Sequence, residues 1–190
     1  MSNFYALINR MKYIRRWCLM RSNNDENLFE HSFQVAVIAH ALALIKNKKF
    51  SGDVDAEFVA TASLFHDSSE VITGDMPTPV KYNNPSLKNA YKDFEKMADE
   101  KLLSMLPDFL REDYEKLFNL PSDSAEYKII KAADKISAYI KCAEETSAGN
   151  SEFSIAEKTT LEAIKAMNLP EAEYFMDNCV EGFFRPLDVL

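Results

Sequence analysis

Glycine is scarce in this 190-residue chain: 4 residues, beside 7 prolines. So few turn residues exclude a collagen-like or low-complexity chain, and weigh against sandwiches, barrels and propellers, which must turn tightly again and again. Cysteine is nearly as rare. Cys18, Cys142 and Cys179 are odd in number, widely spaced and free of any Cys-x-x-Cys pairing. They read as reduced thiols of a cytoplasmic protein, neither a disulfide framework nor a zinc knuckle. Basic charge is in the minority, 22 Lys and Arg against 30 Asp and Glu for a net charge of −8. A chain that wraps nucleic acid needs a broad basic surface, so no nucleic-acid partner is expected. Long apolar runs are missing too. The longest, Val35 to Ile45, is interrupted by His40 and is too short to span a bilayer. The N-terminus shows no charged stretch followed by an apolar one, so neither a signal peptide nor a membrane partner is expected.

What is present is ordinary for a folded globule, 47% hydrophobic and 27% charged residues, and at this length one domain over residues 1–190 is expected. The apolar residues recur at three- and four-residue steps almost everywhere. Phe4, Leu7, Ile8, Met11 and Ile14 mark a first helix over about 2–15. Residues 30–47 are apolar on almost all sides, as in a central buried helix. Asp53 or Asp55 can cap a third helix running through Phe65 to His66 and Asp67. Gly74, Pro77 and Pro79 make a loop of 73–80. Further helices are predicted over 86–106, 107–118, 124–146 and 152–167, with a last one after Pro170. No alternating strand pattern or internal repeat interrupts them. The fold class is therefore all-α, a bundle of about seven or eight helices.

Of the three histidines, two stand beside carboxylates: His31 after Glu30, and His66 before Asp67. Adjacent helical residues point about 100° apart, so a His-Asp pair can share an ion only with ligands from other helices. Asp134 is the best further candidate, because its helical neighbours Tyr127, Ile130, Ser137 and Ala138 place it on a mostly apolar face. A buried unpaired carboxylate there is costly, and a metal ion or a cation resolves it. His31, His66, Asp67 and Asp134 make a two-nitrogen, two-oxygen set that suits one divalent transition metal (Co, Mn, Zn or Fe) with positions left open for water. A plainer reading pairs Asp134 with Lys131. His40, nine residues after His31, points the opposite way and reads as a packing residue.

The order His31, His66-Asp67, Asp134 resembles the His…His-Asp…Asp signature of HD-domain metal-dependent phosphohydrolases. The surrounding text narrows the likeness: Arg15-Arg16-Trp17, Glu30-His31-Ser32, Phe65-His66-Asp67-Ser68-Ser69-Glu70, and Thr73-Gly74-Asp75-Met76-Pro77-Thr78-Pro79-Val80-Lys81-Tyr82. It is similar to the bacterial 5′-deoxynucleotidase branch, from the first helix to about Phe153. The resemblance implies an HD-domain helical bundle whose metal is held by His31, His66, Asp67 and Asp134. By the same resemblance Glu70 handles the proton of the attacking water, Arg16 binds phosphate, and Trp17 lies beside the sugar. Asp75 is a second acid of the site, and Thr78 and Lys81 share its loop. Helical geometry agrees for Glu70, which on a continuous helix lies about 40° from His66 and about 60° from Asp67.

The implied substrate is a deoxyribonucleoside 5′-monophosphate, and the implied assembly a homodimer. Local charge points the same way: residues 1–24 hold Arg10, Lys12, Arg15, Arg16 and Arg21 and no acid, a field that draws an anion to a protein of net negative charge. The alternatives are an HD-domain phosphodiesterase or alarmone hydrolase, and a nucleotide-binding module without chemistry. Trp17 also reads as a packing residue, Asp75 as a turn residue, and Thr78 and Lys81 as loop structure.

Overall fold

The computed structural model describes residues 2–81 and 84–189; Tyr82, the last residue of the Thr73 motif, lies outside them. Among the described residues there are α-helices and short 3-10 turns and no strand. Helix α1 (Phe4–Ile8) passes into a 3-10 turn over Asn9–Tyr13, where one longer helix was predicted. Helix α2 (Leu28–Lys49) begins at a capping box: the Asn27 side chain accepts from the Phe29 and Glu30 amides while Glu30 reaches back to the Asn27 amide.

Helix α3 (Ala56–Ser63) is capped by Asp55, whose carboxylate accepts from the Phe58 amide. It ends at Ser63, short of His66 and Asp67. Beyond it the backbone tightens, with bonds from Leu64 to Thr61, Phe65 to Ala62, Ser68 to Phe65 and Glu70 to Asp67. Each spans three residues rather than four, so the pitch is that of a 3-10 turn. The angular argument for Glu70 on one continuous helix therefore does not apply. Helix α4 (Glu70–Thr73) follows and stops at Gly74, whose φ of 75° is the left-handed value that glycine adopts at least cost.

The predicted loop 73–80 contains a short helix, α5 (Thr78–Lys81). Pro79 sits in its first turn, where a missing N–H costs nothing, and the Pro77 carbonyl accepts from Val80 and Lys81. The remaining helices match their predicted places to within a few residues: α6 (Pro85–Leu103), α7 (Asp108–Phe118), α8 (Ala125–Ser147), α9 (Ser154–Ala166) and α10 (Pro170–Asn178). Two further 3-10 turns, Val180–Phe184 and Leu187–Val189, follow.

Helix α2 is the centre of the bundle and packs against α3, α8 and α10. Val35, Ile38, Ala39 and Leu42 from α2 meet Val59 and Ala62 from α3 and Ile129, Ala133, Ile136 and Ile140 from α8 in the main core. A second cluster joins Phe4 to Leu102, Leu103 and Leu106, with Phe65, Tyr114 and Phe118 around it. The expectation of a helix buried on almost all sides is corrected in one respect. Phe33 is 67% and Val37 55% exposed, with Phe29 and Leu44 partly exposed on the same face. Helix α2 is also long and apolar enough to cross a membrane by length and composition, longer than the apolar run in the sequence implied, yet half of that window is buried inside the fold.

Candidate active site

Three segments converge at the N-terminal end of α2. His31 comes from its first turn, fully buried; His66 and Asp67 come from the tight turn after α3; Asp134 comes from the middle of α8. One ligand atom from each lies within 4.8 Å of all the others. His31 Nε2 is 3.2 Å from Asp134 Oδ1 and 3.6 Å from Asp67 Oδ2, and His66 Nε2 is 3.1 Å from Asp67 Oδ2.

The far ring nitrogens are engaged elsewhere. His66 Nδ1 donates to the Ser63 carbonyl at 2.7 Å. His31 Nδ1 meets Ser137 Oγ at 3.1 Å and Glu26 Oε1 at 3.5 Å. Such bonds fix the tautomer and leave Nε2 with a lone pair aimed inward. Both Nε2 atoms are buried and lack a geometrically sound hydrogen bond, a cost that a cation at the centre removes. The donor set thus fits a divalent metal.

Asp134 is not fully buried as expected: its side chain is 26% exposed. Lys131 Nζ stands 3.8 Å from its second oxygen, so the plain pairing with Lys131 coexists with the cluster at long range. Burial opposes ionisation of Asp67 and Asp134, but His66 holds the first, and His31 and Lys131 the second, well below the usual carboxylate range. His31 is pushed up: burial and Arg16 act downward, and the Asp134 and Glu26 carboxylates outweigh them.

Arg16 and Trp17 ride on a loop between the first 3-10 turn and α2, closed by an isolated antiparallel bridge between Arg15 and Asn27. Arg16 Nη1 lies 3.5 Å from Asp67 Oδ2 and Nε 3.4 Å from Glu26 Oε2, with only 13% of the side chain exposed. Trp17 donates from Nε1 to Glu26 Oε2 at 2.7 Å and its ring rests on Phe153, centroids 5.4 Å apart. It thus packs on Phe153 while bonded to the carboxylate that also contacts Arg16 and His31. Its φ of 58° lies in the left-handed region, an uncommon place for an aromatic residue.

The basic N-terminal stretch is less of a free field than its sequence implied. Arg15 pairs with Asp25 at 3.0 Å and Arg21 with Glu152 at 2.7 Å. Arg16 alone of the five is drawn to the cluster of candidate metal ligands.

Glu70 opens α4 with its carboxyl buried and one oxygen without a hydrogen bond. Burial, with Asp67 and Asp75 nearby, pushes it up to about 9, against the pull of Arg16 and Lys81. Asp75 follows Gly74 and is likewise raised, by burial first and by Asp67. Tyr91 of α6 holds this turn by donating to the Gly74 carbonyl at 2.8 Å.

The model of the 5′-deoxynucleotidase YfbR-like family matches residues 3–183. A 5′-deoxynucleotidase of Photobacterium profundum is 50% identical over 188 residues, 98% of this chain and 97% of that protein. One from Photorhabdus temperata is 50% identical over 189 residues, 99% and 96% of the two chains. The chain belongs to the YfbR-like 5′-deoxynucleotidase family.

As a member of that family it is a hydrolase acting on nucleotide phosphate esters. The match continues through α9 and α10, past Phe153 where the recognisable text in the sequence ends. Among solved structures, an HD-domain phosphohydrolase from Listeria innocua superposes with a TM-score of 0.83 over 98% of this chain and 90% of that one, at 21% identity. The HD phosphohydrolase of cyanophage S-2L, bound to dA and one catalytic zinc ion, gives 0.65 over 93% and 96%, at 17% identity. Likeness at that distance concerns the fold, and the fold is the all-α HD type.

Within this family site the structure brings together His31, His66, Asp67, Asp134, Arg16 and Trp17, with Glu70 and Asp75 close enough to feel the same charges. Thr78 is exposed on α5. Lys81 bonds to Glu95 at 2.6 Å and lies over the Tyr91 ring, so its first role is to tie α5 to α6, while its charge still reaches Glu70 and Asp75. The residue that sequence reasoning missed is Glu26, which touches Trp17, Arg16 and His31 together. Its only signal was its place at the end of a Ser-Asn-Asn-Asp-Glu run, residues 22–26, that looks like solvated loop.

Proposed function

We propose that the chain is a metal-dependent 5′-deoxynucleotidase that hydrolyses deoxyribonucleoside 5′-monophosphates to deoxyribonucleoside and phosphate, with residues 1–190 working as one HD-type domain. The observation that carries the residue roles is the convergence of four donor atoms within 4.8 Å beside a buried arginine. His31, His66, Asp67 and Asp134 hold one divalent transition metal, Co, Mn, Zn or Fe, which the mixed nitrogen and oxygen donors suit better than calcium. When bound, it lowers the pKa of water and polarises the phosphoryl oxygens.

Arg16 binds the phosphate and offsets charge on the transferring phosphoryl group, its guanidinium already oriented by Glu26. Glu70, ionised once a bound cation offsets the neighbouring carboxylates that raise it, orients the attacking water and takes its proton as the oxygen–phosphorus bond forms. The bond from phosphorus to the 5′ oxygen then breaks, and Asp75, raised and so more often protonated than an ordinary aspartate, donates to the leaving oxygen. Lys81 and Thr78 flank the substrate from α5. Trp17 lies beside the sugar. Because its one N–H is committed to Glu26, the ring offers a 2′ hydroxyl no partner, which disfavours ribose.

The protein acts in the cytoplasm without nucleic-acid or membrane partners, as a homodimer. The exposed Phe33 and Val37 face of α2 supports that assembly, since a monomer leaves it in water. Phosphate release from a panel of ribo- and deoxyribonucleotides, diesters and alarmones, with and without EDTA and added metals, tests the reading. Release from deoxyribonucleoside monophosphates alone, lost with EDTA and restored by metal, is expected. Preference for a diester or an alarmone overturns it.

A further inference from the structure

Helix α8 carries charge where a core helix should be apolar. Asp134, Ser137, Lys141 and Glu145 follow one another at steps of three, four and four residues, which keeps them on one stripe spanning about 80° of the helix. Ser137, Lys141 and Glu145 are buried, Glu145 to 1% exposure. The upper end of the stripe serves the metal cluster: Asp134 is a member, and Ser137 backs His31 Nδ1 and donates to Gln34. The lower end touches neither metal ligands nor the reacting groups.

That lower end grips the loop that carries Arg16 and Trp17. Glu145 accepts from the Asn23 amide at 2.9 Å, the Asn24 amide at 3.1 Å, the Ser22 hydroxyl at 2.8 Å and the Asn150 side chain at 2.9 Å, and from Lys141. Lys141 donates in turn to the Asn24 carbonyl, and Asn150 to the Arg21 carbonyl. The Lys141 ammonium also lies 5.7 Å from the centre of the Phe153 ring, on which Trp17 rests. The loop needs such a hold. Trp17 at positive φ is a conformation that persists only where the surroundings over-determine it.

We propose that Glu145 and Lys141 are positioning residues that set the place of Arg16 and Trp17 relative to the metal ligands, and through them substrate affinity. The proposal rests on the reading above that Arg16 and Trp17 hold the substrate. Eleven residues, about 16 Å of rigid helix, separate Asp134 from Glu145, so α8 fixes the spacing between metal and loop. A buried ion pair is weak as a source of stability, and here it is committed to position: Ser22, Asn23 and Asn24 of the one loop all donate to Glu145.

Trp17 is the chain's single tryptophan, so its fluorescence reports the loop without interference. The test is the double variant Lys141→Met/Glu145→Gln, which removes both buried charges together, measured beside wild type in the cobalt-loaded full chain. With the helical circular dichroism signal and cobalt content kept, Trp17 emission shifts to the red and acrylamide quenches it more readily. KM for deoxyadenosine 5′-monophosphate rises by about 10-fold, with kcat changed far less. Unchanged emission and quenching, or an unchanged KM, overturns the proposal. Should the double variant fail to fold, Ser22→Ala removes one bond to Glu145 and leaves the pair intact; the same shifts at smaller size are expected, and their absence overturns the proposal. If wild type releases no phosphate from this nucleotide, the substrate reading has failed, and emission with cobalt content alone judges the positioning.

Discussion

An acid buried between two other acids is costly as an anion, and Glu70 stands in that position beside Asp67 and Asp75. In the unfolded chain it ionises near its ordinary value of 4.5, and in the fold it is pushed up to about 9. Its contribution to stability is therefore fully present below pH 4.5 and is lost progressively as pH rises towards 9. Glu70→Gln should stabilise the metal-stripped protein, seen as a higher melting temperature, by an amount that grows from pH 5 to pH 8 and reaches the order of 2 kcal/mol. The same change should lower turnover at least ~100-fold with metal retained. Thermal melts at the two pH values check the first half; a gain independent of pH contradicts it.

Trp17 makes a second prediction at this scale. With its N–H tied to Glu26, Trp17→Ala should narrow the preference for deoxyadenosine over adenosine monophosphate, read as the ratio of the two kcat/KM values; an equal ratio leaves Trp17 as a packing residue. The left-handed backbone at Trp17 costs of order 1–3 kcal/mol, and the same variant releases little of it, because alanine pays the same φ. Rarity decided which residues could be read from sequence. With three histidines, two of them beside carboxylates, the ligand set was legible. Glu26 and Glu145 were not, because each stands in a run of polar residues, and only the fold shows that they are buried.

Helices were legible wherever an apolar stripe and a cap coincided, as at Ser124 before α8 and Pro170 at the start of α10. The end of α3 was not. Its apolar pattern continues through Phe65, but Ser63 Oγ turns back to the Val59 carbonyl, and the chain then tightens into three-residue bonds that no side-chain periodicity records. That tight turn is what presents His66 and Asp67 together. The α2 face was misread for a related reason: an apolar residue in sequence shows a preference for burial, not what buries it. If that face joins two subunits, Phe33→Asp should turn the dimer into a monomer in sedimentation while the metal stays bound. A wild-type monomer contradicts this assignment.

At the scale of the molecule, net charge of −8 and a phosphate substrate are reconciled in one place, where Arg16 lies 3.5 Å from Asp67, one of the four donors that would hold a divalent cation. Protons compete with that cation. His31 is raised above its usual 6.5, so metal affinity should climb as pH rises through that raised value and weaken below it; calorimetric titration at pH 6 and pH 8 gives the difference, and equal affinities contradict it.

The four ligands and one arginine should together form a phosphomonoesterase site. This is tested most directly by measuring bound metal and phosphate release from deoxyadenosine 5′-monophosphate together, in wild type and in Asp67→Ala. Wild type should carry about one equivalent of metal per chain and release phosphate, and the variant should lose both in parallel. A variant that keeps full metal and full turnover would contradict the account.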